Sequence, residues 1–212
     1  MPAPIDPRLE SVARKTGISV PKWEAMLRSA TETVCTAQTI DGARRYFDRA
    51  AADTPAQYAG RECVKTLALR IAETCRNFGE LLDAFHYADG ASHEGAVAIA
   101  KRLIASASDT SQAATACTAL RAHFAETELQ ADAIARWNEL SSIEANAAKT
   151  FNDALAAYEA ALSGSAGERI ARERMAAFAG TPEELRMTLC RTHPGSDEEF
   201  TVARRLWKMI PA

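Results

Sequence analysis

Apolar positions along this chain recur at helical spacing, and the segments that carry them are separated by short runs of turn-forming residues. Trp23, Met26, Leu27, Ala30 and Val34 stand at i, i+3, i+4, i+7 and i+11, which predicts a helix from Pro21 to about residue 38. Pro21 is placed where a first-turn proline belongs. A shorter stretch over about 8–16 precedes it and ends at Gly17. Asp41-Gly42 reads as the break that follows, and a helix over about 43–51 ends at Asp53-Thr54-Pro55. Beyond Pro55 the pattern predicts helices over about 56–76, 79–89, 93–106, 111–126, 130–145, 147–162, 167–178, 182–192 and 197–209. Thr181, Pro182 and Glu184 form a capping box with proline at the first helical position. Connections this short force neighbouring helices to lie antiparallel, and each hairpin leaves an apolar face that the next must cover.

A second regularity has a longer period. Val12-Ala13-Arg14, Ile99-Ala100-Lys101, Ile134-Ala135-Arg136, Ile170-Ala171-Arg172 and Val202-Ala203-Arg204 all read β-branched aliphatic, alanine, base. With 45 alanines among 212 residues, chance predicts fewer than one such tripeptide, and the last four are 35, 36 and 32 residues apart. That interval is the length of one helix-turn-helix unit in a repeat array.

The second helix of each hairpin carries its own spacing. Ala43, Phe47, Ala50 and Pro55 stand in the relation small, aromatic four later, small three later, proline five later. Ala154, Tyr158, Ala161 and Ala166 repeat it, as do Leu81, Phe85, Ala88 and His93, and more loosely Leu120, Phe124 and Thr127. Over roughly residues 25–190 the chain here resembles the tetratricopeptide repeat, although the family's first-helix pattern is absent. The resemblance implies an all-α fold of stacked antiparallel helical hairpins in a right-handed superhelix. It also implies a role as adaptor, chaperone or assembly factor, with first helices lining a concave face. The expected organisation is one continuous domain, with an N-terminal cap over 1–38, hairpin repeats over 39–195 and a C-terminal capping helix over 196–212.

Composition supports the class and narrows the partners. Alanine fills about a fifth of the chain, and prolines are confined to its two ends, with none between Pro55 and Pro182. A net charge of −3 gives no global attraction to nucleic acid or anionic membrane, and no segment reaches the length of a membrane span. No secretory leader is visible, so a cytoplasmic protein is expected, and the chain's size and alanine-rich style suggest a bacterial one. Five widely spaced cysteines without a CxxC pair read as reduced, mostly buried small hydrophobes.

The candidate partner-binding residues are the basic ladder Lys101, Arg136, Arg172 and Arg204 with Trp137, Asn138 and Trp207 beside it. On stacked hairpins such residues could line a groove for a protein or peptide, and the surface suits an acidic segment. The alternative is that each base lays its stem over a neighbour and keeps its head in water. Asp83, His86, Asp89, His93 and Glu94 could converge on a divalent metal in a helical enzyme, or simply decorate an exposed helix end. Residues 9–27, with Arg8, Arg14, Lys15, Lys22 and Arg28, have the turn spacing of a DNA-reading helix-turn-helix, or else cap the stack. Neither a Cys/His nucleophile pair nor a glycine-rich phosphate loop is present, the glycines being read as scattered at helix ends. The expectation is therefore a non-enzymatic protein-interaction module without metal or cofactor.

Overall fold

The computed structural model describes residues 15–34 and 37–209, and among them every regular element is an α-helix. Val12-Ala13-Arg14, Arg8, Cys35 and residues 9–14 of the helix-turn-helix candidate lie outside the described residues. The chain divides into two compact units, one ending at Ser106 and one beginning at Ala107. The first holds α1 (Val20–Val34), α2 (Ile40–Arg49), α3 (Pro55–Thr74), α4 (Phe78–Ala88) and α5 (His93–Ser106). The second holds α6 (Thr110–Phe124), α7 (Glu128–Ala147), α8 (Phe151–Ala160), α9 (Ala166–Phe178), α10 (Pro182–Leu189) and α11 (Asp197–Met209).

Each of these helices is preceded by serine, threonine, asparagine or aspartate, from Ser19 before α1 to Ser196 before α11. From Thr39 onward a side-chain oxygen there satisfies one of the orphan N–H groups of the first turn. Thr150 and Thr181 do so within full capping boxes, with Asp153 and Glu184 reaching back to the cap. Asp41-Gly42 does not break the chain as expected. Thr39 caps α2 through Gly42, so both residues lie in its first turn, where Asp41 suits the positive helix end. The break before α8 falls at Ala148-Lys149-Thr150 rather than near residue 146, because the Thr150–Asp153 box fixes it.

Within each unit, extensive contacts run between helices one or two apart in the chain. In the first, α3 packs against α1, α2, α4 and α5; in the second, α7 packs against α6, α8 and α9, and α11 against α10 and α9. This sequential packing is compatible with a helical repeat. The small–aromatic–small positions of α2, α4, α6 and α8 supply much of the core: Ala43, Phe47, Leu81, Phe85, Ala88, Leu120, Phe124 and Ala154 are buried. Leu185, Leu189 and Thr192 repeat the spacing without an aromatic, on α10 and beyond its end. Twelve residues after the first position of the motif, the next helix begins at Pro55, His93, Ala166 and Asp197. The α6–α7 turn is four residues tighter and starts α7 at Glu128, with Glu126 taking a left-handed backbone (φ 62°).

Three glycines sit where helices approach closely, and one of them, Gly60, contradicts the expectation that all lie at helix ends. Gly60 is inside α3 against the backbone of Phe47, and Gly95 and Gly167 lie in the first turns of α5 and α9 at crossings. A Cβ on Gly167 would fall 2.3 Å from Ser141 Oγ and 2.8 Å from the Ser141 carbonyl carbon, so α7 and α9 touch there only because the side chain is missing. The cysteines also depart from expectation. Of the four described, Cys117 is buried, Cys63 and Cys75 are half-buried and Cys190 is exposed.

Candidate functional site

The four described tripeptides do not share one orientation. Ile99 and Ala100 are buried and Lys101 is exposed; Ile134 and Arg136 are half-buried and Ala135 is exposed. Ala171 and Arg172 are buried, whereas Val202 is buried and Arg204 is exposed. The ladder bases therefore stand in different environments.

Several basic and aromatic donors instead serve helix C-termini, where the last carbonyls have no partner within their own helix. Arg102 Nε donates to the carbonyl of Cys75, which caps α3, over 3.2 Å. Arg136 Nη2 donates to the Ala107 carbonyl over 2.8 Å while its other nitrogen holds Glu139. Arg205 donates to the Ala176 and Ala179 carbonyls at the end of α9, and Arg44 to those of Tyr87 and Asp89 at the end of α4. Trp137, half-buried, donates its indole N–H to the last carbonyl of α8, Ala160, over 2.9 Å. These contacts bring positive charge or a strong donor to the negative end of a helix dipole. Asn138 is half-buried beside them in α7; its main-chain carbonyl accepts from the Ser141 and Ser142 hydroxyls, and its side-chain Oδ1 is buried without a partner.

Arg172 is 6 % exposed and acts as a brace. Its Nε donates to Glu198 Oε2 over 3.0 Å, and its Nη1 lies 3.2 Å from His193 Nε2, joining α9 to the α10–α11 turn and the first turn of α11. Nearby, burial together with the adjacent Glu168 carboxylate pushes the Tyr158 phenol above its ordinary range, and the Arg191 guanidinium lies over the same ring.

What the brace holds is the last helix. Val202 is fully buried with Phe151, Met175 and Leu185, and Leu206 packs against the same cluster. Asp197, Phe200, Thr201, Arg204, Trp207 and Lys208 lie on the opposite side of α11 and are exposed. Their spacing of three and four residues makes one continuous stripe. Phe200 is 61 % exposed and Trp207 81 %, the largest values among the big apolar side chains of the described residues. Charge is segregated along the same helix: Asp197, Glu198 and Glu199 in its first turn, Lys208 in its last. Of the seven residues singled out from sequence, Arg204 and Trp207 thus share a solvent-facing stripe. Arg136, Trp137, Asn138 and Arg172 are engaged inside the second unit, and Lys101 is exposed on α5 of the first. Phe200 was missed because an aromatic at a helical position reads as core until the inner face is known to be Val202 and Leu206.

Asp83, His86, Asp89, His93 and Glu94 form no metal site: among the described residues no three His, Cys, Asp or Glu side chains are grouped to hold an ion. Glu94 pairs instead with Lys65 at 2.6 Å, and the His86 ring meets Phe85 edge-on. Lys15, Lys22 and Arg28, from the helix-turn-helix candidate, are exposed on and before α1. No described helix is long and apolar enough to cross a membrane. Comparisons with protein-family models, with curated proteins and with solved structures return no match.

Proposed function

We propose that this chain is a non-enzymatic protein-interaction module whose binding surface is the outer stripe of α11. The observation that carries this reading is the pair Phe200 and Trp207, left in water seven residues apart on a helix whose other side is sealed into the core. Large aromatics on a rigid helix supply anchor area at low conformational cost, and Arg204 between them adds a planar donor for a carboxylate. The arginine brace and the caps at the helix ends support the same reading, since they hold the stripe in one place before a partner arrives. Sequential hairpin packing within each unit fits a tetratricopeptide-like right-handed stack, and with it the role of an adaptor, chaperone or assembly factor of a bacterial cytoplasm.

The test compares proteins that copurify with the wild-type chain from its source cells and with the Arg204→Glu, Trp207→Ser double variant. A partner held by the first and lost by the second is expected; identical sets from both would contradict the reading.

A further inference from the structure

Resting on that reading of α11 as the binding face, we infer that its partner is a second copy of this chain, docked through an antiparallel contact between the two α11 helices. The stripe carries both signs of charge at opposite ends, Asp197 at its start and Lys208 at its finish. A uniformly acidic partner helix would meet like charge at the first turn, and a basic one at the last. An antiparallel copy meets neither, because each acidic end then faces the other's basic end.

The spacing of the aromatics agrees. Phe200 and Trp207 are about 10 Å apart along the axis at the helical rise. A two-fold axis passing close to Ala203 and Arg204 therefore sets Phe200 opposite Trp207 of the second copy, twice. It also brings Asp197 within about one helical turn of Lys208 of the second copy, twice. The two Arg204 side chains lie near the axis, where each guanidinium can stack on an aromatic face from the other chain. Both aromatic positions and both charged ends are thus used by one symmetry operation. Six exposed side chains per copy make a smaller surface than a permanent dimer buries, so the association is reversible and depends on concentration.

The experiment has two arms, both on the full chain. A benzoylphenylalanine replacing Thr201, on the stripe but not among its anchors, is irradiated in the source cells. An adduct of twice the chain's mass is expected. An adduct with a different protein overturns the second copy and leaves the binding-face reading standing; no adduct overturns both. In the other arm, sedimentation from about 1 to about 100 μM compares the wild type with Asp197→Lys, Lys208→Asp and the double swap, with circular dichroism confirming helix content. Each single swap is expected to weaken self-association about tenfold or more, and the double swap to restore it. A double swap as weak as the singles, or a wild type monomeric throughout, overturns the inference.

Discussion

Arg172 shows how far a side chain's role can lie from what its neighbours in sequence suggest. Read in the ladder it is a groove base; in the fold it is buried, paired with the largely buried Glu198 and touching His193. Removing one partner of such a pair leaves an uncompensated charge. Arg172→Ala is expected to lower unfolding stability by about 3–5 kcal/mol in a denaturant titration, whereas replacing both Arg172 and Glu198 by methionine should cost far less. Gly167 makes the complementary case. Any side chain there must displace Ser141, including its backbone, so Gly167→Ala should destabilise by about 1–3 kcal/mol despite alanine's better helix propensity. Thermal unfolding of that variant beside Gly164→Ala in the open turn would separate crowding at a crossing from backbone strain, since nothing lies within 4 Å of a Cβ on Gly164. Neither role was legible beforehand, because burial of Arg172 and the approach at Gly167 depend on which helices cross.

Helices, by contrast, could be read from local chemistry. The periodicity of apolar positions located the described helices to within a few residues, and the Thr181-Pro182-Glu184 boundary was visible as a motif. The misplaced boundaries, at Asp41-Gly42 and before α8, arose where a threonine cap outweighed an expected break. Those caps also make the molecule acid-sensitive in a defined direction. The Gly180 and Thr181 N–H groups hold the Glu184 carboxyl below its ordinary range, and the Thr150 hydroxyl with the Lys149 N–H does the same for Asp153. A carboxyl whose folded pKa is depressed contributes stability above its unfolded pKa, and that contribution is lost as pH falls through the folded value. Stability measured by urea titration should therefore decline once pH drops into and below the ordinary carboxylate range. The decline should be shallower in Glu184→Gln combined with Asp153→Asn; an unchanged pH profile in that variant would show that the boxes are not formed in solution.

At the scale of the whole chain, the recurring bases carry two kinds of meaning that sequence alone does not separate. Arg102 and Arg136, 34 residues apart, and Arg205, 69 further on, keep the period of the hairpins and donate to helix-end carbonyls. The tripeptide that drew attention to the period is offset from this set, so only Arg136 belongs to both. Spacing thus marks a recurring sequence pattern, but the rotational phase of each helix decides whether a base points at a carbonyl, a buried carboxylate or water. On α11 both fates occur in adjacent residues: Arg205 donates to Ala176 and Ala179, while Arg204 stands on the outer stripe between Phe200 and Trp207. Trp207→Ser on that stripe should leave the thermal midpoint nearly unchanged, within the range of ordinary surface substitutions, about 0.5 kcal/mol. A large loss would place the tryptophan in the core.

The most direct measurement is the unfolding free energy of Arg205→Ala beside that of Arg204→Ala. The fold predicts that Arg205→Ala costs more than about 1 kcal/mol, through carbonyls left without a donor, and that Arg204→Ala stays within about 0.5 kcal/mol of the wild type. Equal losses, or the larger loss at Arg204, would contradict it.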